Sequence, residues 1–335
     1  MRADPSAAAL ASDLQWDMAP IDPSLGKKIL FSSLGVHVNR CLEPSETCKA
    51  PAIRAHSVQN AAVMDLLHRA GHVKVLTHDF HDADSFALIW RDVGRNLATT
   101  FEGFCSTHDA ALFALIDTQA LELTNREQLF LYAYRAVARE LHALMEATAR
   151  TQILYQQRIE AGIDKGNEPE AAGILALEHG MNMYSAYEYK TALDQALQDG
   201  NFDVLTHEIV RLAPQAPAIA ASVFFDLDTR RYQEEPPRAS LNIFPVSTTE
   251  TVAIFSFTDA DAEPVREYIH DIFTSNGGYQ KYLISRILLL HAENFVVSPS
   301  LFDTWSEAKR DAIRDFSFNT IRYGSAEQSE RLYLF

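Results

Sequence analysis

Cys41, Cys48 and Cys105 are the only cysteines in 335 residues, and they fall within about one fifth of the chain. Seven of the twelve histidines crowd the same region: His37, His56, His68, His72, His78, His81 and His108. Thiolate and imidazole are the ligands a tetrahedral Zn2+ prefers. Cys41, Cys48, Cys105 and His108 form such a set, spaced C-x6-C and C-x2-H. Cys41 and Cys48 bracket LEPSET, a turn-forming hexapeptide with Pro44 and Ser45, so their thiols can converge on one ion. Cys105 and His108 are three apart, and on the first turn of a helix both can face that ion. A helix N-terminus also favours thiolate over thiol. The set reads as a structural Zn2+ site, weighed against the alternative of ordinary buried cysteines.

His56 lies between the two ligand pairs and has three readings: a core or supporting histidine, a general base, or an extra ligand. HDFHDAD, at 78–84, gathers His78, Asp79, His81, Asp82 and Asp84. His78, Asp79 and His81 could supply a second metal position; the run could equally be a solvated loop that caps a helix at Asp84 or Ser85. Arg135, Arg139 and Glu140 read as a solvated or ion-paired helix face. The chain has no Walker loop, GxGxxG, GxSxG or HExxH, so kinase, Rossmann and hydrolase readings lack support.

The elements that must position these residues are legible to different degrees. GKKILFSSLGVHVNRC predicts a strand or short buried helix leading into Cys41. Ser57 is placed to cap a helix closed by Gly71, and VKVLT at 73–77 alternates as a strand does. STHDAALFALI has helical spacing directly after Cys105. Thr124 and Glu127 form a capping box ahead of a long amphipathic pattern, which predicts a helix from about Thr124 to Ala161. Further helices are expected over 168–199, stopped at Gly200, and over 201–213, stopped by Pro214. IAASVFFDLDTRRY, ASLNIFPVS and ETVAIFSFT predict a small antiparallel meander of about three strands. Three helices should follow, one with Pro264 in its first turn, one over QKYLISRILLLHAENF, and one opened by Ser300 or Asp303. The expected fold class is α+β, predominantly helical, with long central helices and a small antiparallel sheet in the C-terminal half. The expected partition is a flexible arm over 1–24, a zinc-binding region over 25–118, a helical region over 119–215 and an α+β region over 216–335.

Composition narrows the function classes. No apolar run approaches the ~20 residues that span a bilayer, so no membrane partner is expected. The N-terminus lacks an uninterrupted apolar segment of signal-peptide type, which predicts a cytoplasmic protein with reduced thiols. Net charge is −16, which disfavours nucleic acid. The charge is uneven, however: Asp22 to Asp109 carries nine Lys/Arg against ten Asp/Glu. A nucleic-acid substrate is thus neither supported nor excluded for the cysteine region.

The order Cys41, Cys48, Ala55-His56-Ser57, then Phe104-Cys105-x-x-His108-Asp109 resembles a degenerate HNH (ββα-metal) nuclease motif over roughly residues 38–115. RAHSVQ, GFCSTHD and LFLYAYRAVARE also resemble phrases of a bacterial protein family without a settled activity. The HNH resemblance implies a treble-clef-like zinc region, with His56 as general base, Asn60 as the middle Asn and His108 as the last His. Ala55 stands where that family has His, Asp or Glu, and the family's Gly-Gly segment is absent. Two functions follow as expectations. One is a zinc-stabilised sensor or interaction protein, catalytically silent, with a protein partner or self-association. HNH relatives sit in phage-defence loci, which suggests that setting by association. The other is a nuclease that cleaves DNA or RNA with Mg2+ or Mn2+ and His56 as base.

Overall fold

The structure, a computed structural model, describes residues 23–82, 85–165, 170–227, 236–323 and 331–335. The expected flexible arm, apart from its last two residues, lies outside them. By contact the chain falls into two units that interleave in sequence. One takes Met1–Val38, Phe80–Ser85 and Ala143–Ser185, the other Asn39–Asp79, Phe86–His142 and Ala186–Phe335.

The described part of the first unit is mainly helical, with strand residues at Phe80–Asp82 and Ser85. Helix α1 (Pro23–Leu34) occupies the segment for which a strand or a helix was expected before Cys41. Ser32 donates to Gln157 at 2.9 Å, and the Arg150 Nε donates to the Val36 carbonyl at 3.1 Å. Arg158 grips Asp164 with two bonds of 2.8 and 2.7 Å across a turn in which Gly162 has φ +69. Those bonds hold the Asp164 carboxyl below its ordinary value, against the opposing effect of its burial.

The second unit is built on a seven-stranded sheet in the order β3-β2-β9-β6-β7-β8-β5. Its strands are β2 (His72–Asp82), β3 (Ser85–Gly94), β5 (Leu205–Leu212), β6 (Ile219–Asp226), β7 (Arg238–Pro245), β8 (Thr251–Thr258) and β9 (Val296–Val297). The expected meander is present as β6, β7 and β8, with β7 paired antiparallel to both neighbours. Every residue of β7 is buried, and all but the last of β6 and β8. Strands covered on both faces read as unbroken apolar runs, which is why these three were legible.

The expectation of a small sheet is corrected, because four more strands join it. Residues 205–212, expected inside a helix, form β5 and pair with β8 in an unbroken register from Leu205↔Thr258 to Leu212↔Thr251. VKVLT extends to Asp82 as β2, so His78 to Asp82 belong to a strand and not to a loop. Two-residue β9 joins the halves by pairing with β2 on one side and β6 on the other. Helices α5 (Ala262–Thr274) and α6 (Gly277–His291) pack on β8 and β6. Val265, Ile269 and Ile272 of α5 are buried at helical spacing, the expected sign of one face turned to a core. Helices fill about half of the described residues, so the class is α+β, less helical than expected.

The long helix is α3 (Arg126–Glu160), 35 residues. Its cap sits one residue later than expected. Asn125, not Thr124, accepts from the Gln128 N–H at 3.1 Å, and Gln128 in turn accepts from the Glu122 N–H at 2.7 Å. Helix α4 (Ala171–Asp199) ends at Gly200, whose φ is +66. The last helix, α7 (Glu307–Tyr323), is opened by Ser306 accepting from the Lys309 N–H at 3.2 Å, and not by Ser300 or Asp303.

Candidate metal centre

The ligand set is assembled by two strands, a loop and a helix within the second unit. Strand β1 (Ile53–His56) pairs antiparallel with β4 (Thr100–Phe104), with Ile53 opposite Phe104 and His56 opposite Thr100. Helix α2 (Ser106–Thr118) follows β4 at once, with Cys105 as its N-cap at φ −75, ψ 162. His108 therefore lies on the first turn, and the two side chains converge as their spacing predicts. A Cβ at Gly103 would collide with the Phe101 ring, which leaves only glycine room at this point of β4.

The loop between Cys41 and Cys48 is organised by Glu43, which is 5% exposed. Its carboxylate accepts from the backbone N–H of Ser45 at 2.7 Å, Thr47 at 2.7 Å and Cys48 at 3.0 Å. The Ser45 hydroxyl adds a fourth bond of 2.7 Å. Burial opposes the charge, yet these bonds hold the Glu43 carboxyl down at about 2. The Leu42 N–H donates to the Gly103 carbonyl at 2.8 Å and docks the loop on β4.

The ligand atoms of Cys41, Cys48, Cys105 and His108 all lie within 4.8 Å of one another. Cys48 Sγ and Cys105 Sγ are 3.8 Å apart. His108 Nδ1 is 3.3 Å from Cys105 Sγ and 3.5 Å from Cys41 Sγ. Bond lengths of about 2.3 Å to sulfur and about 2.0 Å to nitrogen give a tetrahedron with edges of roughly 3.8 and 3.5 Å. The spacing thus suits one four-coordinate ion, with Nδ1 as the imidazole ligand. The His108 backbone N–H draws the Cys105 thiol down to about 7 against the effect of burial, and Cys41, Cys48 and the His108 ring add to the pull. Burial pushes Cys41 up to about 11. The surroundings thus favour thiolate at Cys105 and thiol at Cys41.

His56 ends β1, and its Nε2 lies 3.2 Å from the Arg95 carbonyl. Burial lowers its pKa, the Arg95 carbonyl raises it, and Arg135 lowers it further. Arg135 is buried at 2% exposure, not on a solvated face. It forks onto Asp117 at 2.9 and 2.7 Å and lies 4.0 Å over the Phe113 ring. Arg139 pairs with Glu140 at 2.9 Å, the ion-paired reading for that pair. Asn60 donates to Asn96 at 2.9 Å. The helix expected after Ser57 is present over Asn60–Met64 and Asp65–Leu67, but Ser57 does not cap it; its hydroxyl donates to the Thr99 carbonyl at 2.9 Å.

His78 and Asp79 are neighbours on β2, so their side chains leave opposite faces of the strand. Asp79 pairs with Arg91 at 3.3 Å. The side chain of His81 lies outside the described residues. Among the described residues the Cys3His set is the one group of three or more potential ligands that converges. Sequence reasoning missed Glu43. The available signal was an acid two residues after a loop cysteine, followed by Ser45 and Thr47, the pattern of a side chain that gathers the N–H groups of its own loop. Compared with known proteins, the chain matches no family model, no curated protein and no solved structure.

Proposed function

We propose that the chain is a zinc-stabilised sensor or interaction protein whose HNH-like site is degenerate and catalytically silent. The observation that carries this reading is that no second ligand set converges beside the Cys3His group among the described residues. A general base needs a free ring nitrogen aimed at a water in an open, cationic groove. Here the Arg95 carbonyl fixes Nε2 and leaves Nδ1 as the base nitrogen, but no second converging ligand set that could hold a catalytic ion exists among the described residues. Zinc is the ion that a Cys3His tetrahedron suits best, since it has no geometric preference that three thiolates and an imidazole would frustrate. The order loop, β1·β4 pair, helix agrees with a treble clef that carries residues 57–99 as an insertion. A treble clef in turn keeps the HNH resemblance in play. The phage-defence setting rests on that resemblance alone.

The test compares wild type with His56→Ala. Expected are one zinc per chain in both, no Mg2+- or Mn2+-dependent cleavage of DNA or RNA by either, and a lower Tm for the variant, because the Arg95 carbonyl loses its partner. Cleavage by the wild type that disappears in His56→Ala, with Tm unchanged, would establish the nuclease reading instead.

A further inference from the structure

The first half of α4 is inverted: small residues face its neighbour, and large apolar ones face away. Ala172 and Ala176 are buried. The Gly173 backbone packs against the Tyr155 ring, where a Cβ would come within 3.0 Å of Cζ. His179 Nδ1 lies 3.4 Å from the Thr151 hydroxyl. Tyr155 and Thr151 belong to α3, so this is the side of α4 that packs within the fold.

On the opposite side, Ile174, Leu177, Met181 and Tyr184 are 50, 65, 64 and 58% exposed. Steps of three, four and three residues keep them in one stripe along the helix. All four belong to the first unit. Large apolar side chains scattered singly over a surface are ordinary, but a contiguous row of them marks an interaction site. Glu170 and Glu188 hold the next positions of the same spacing, so the apolar seam ends there on both sides.

We propose that a second copy of this chain covers the stripe, α4 against α4, antiparallel about a two-fold axis at the level of His179. The spacing selects this occupant. Steps of three, four and three read the same in both directions. Two antiparallel copies therefore pair Ile174 of each with Tyr184 of the other, and Leu177 with Met181. A two-fold contact needs a self-complementary patch of this kind. Covering the four side chains and their rims on two copies removes on the order of 1,000 Å2 from water, which fits a weak, reversible dimer and not an obligate one. The net charge of −16 on each copy opposes the association. So do Glu170 and Glu188, which would face each other across the pair. Salt screens both repulsions and leaves the apolar contact in place. The pairing rests on α4 and not on the metal centre, so oligomeric state and zinc content fail separately.

The experiment is sedimentation velocity of the full chain from about 1 to about 200 μM. It should show a monomer–dimer equilibrium with Kd of roughly 1–100 μM. The dimer should be tighter in about 500 mM NaCl than in about 50 mM. Leu177→Glu and Met181→Lys should each weaken it roughly tenfold or more. Tm and zinc content should stay close to wild type, because both side chains are mostly exposed. Mixed in equal amounts, the two variants should pair with each other more tightly than either does with itself. Antiparallel packing brings the new acid of one against the new amine of the other and keeps one Leu–Met contact. A monomer throughout, a dimer that weakens with salt, full affinity in either folded variant, or a mixture no tighter than the single variants would overturn the proposal.

Discussion

At Glu43 one carboxylate gathers the Ser45, Thr47 and Cys48 N–H groups and so fixes Cys48 within the Cys3His group without itself belonging to that group. Glu43→Gln turns an amide N–H2 toward donors that need an acceptor. Groups that orient ligands in this way are typically worth about 10–100-fold in metal affinity. A chelator-competition titration should find a loss of that size with the metal stoichiometry unchanged. His207 is the residue with the clearest pH signature. Its Nδ1 meets the Ser256 hydroxyl at 2.8 Å, and its buried Nε2 has no partner among the described residues. Burial pushes it from 6.5 down to about 4. The unfolded chain then binds the extra proton between those values, so stability is complete above about 6.5 and falls as the pH drops toward 4. The loss should be on the order of 2–3 kcal/mol. Urea unfolding at pH 7.5 and pH 5 should show it in the wild type, and His207→Gln should remove most of the difference.

Among the elements, α3 shows how tertiary demand shifts a boundary that local rules nearly locate. Thr124-x-x-Glu127 and Asn125-x-x-Gln128 both fit a capping box. Gln128 wins because its side chain also donates to the Ala120 carbonyl at 3.0 Å and accepts from Glu122, which ties down the chain that enters the helix. Asn125→Ala should therefore cost about 1 kcal/mol, against a few tenths for Thr124→Ala, by thermal unfolding. Strand β5 was misread because LTHEIVRL satisfies helical spacing as well as alternation over so short a run. The free backbone edge of β8 decides in favour of the strand. Phe255, fully buried at the centre of β8, packs in the core that results. Phe255→Ala should cost about 3–5 kcal/mol in denaturant unfolding.

For the whole molecule a metal held by the Cys3His group would act as a cross-link over long sequence distances. It would join the Cys41–Cys48 loop to α2 across the insertion that carries β2 and β3. Structural zinc sites in small domains are worth on the order of 10 kcal/mol. Treatment with a strong chelator, or Cys105→Ser, should lower Tm sharply, and added Zn2+ should restore the chelated wild type but not the variant. Unchanged thermal unfolding after complete metal removal would mean that the sheet and its core hold the fold alone. The described residues contain no helix long and apolar enough to cross a membrane, in agreement with the absence of long apolar runs.

The residue types and spacings by themselves determined the converging Cys3His group, the long helix and the three central strands. Each depends on a local rule: ligand pairs on a short loop and a helix start, a cap followed by helical period, and unbroken apolar runs in doubly covered strands. Only the tertiary structure decided the rest, because the deciding partner lies far away in sequence. Val296 and Val297 become a strand because β2 and β6 offer edges on both sides, and no two-residue run announces that. His78 was read as part of a loop because its neighbours are polar, but the strand it continues is set by pairing at 74 and 75 with residues more than two hundred positions away. The Arg95 carbonyl that meets His56 lies 39 residues further along the chain, so no motif announced the contact.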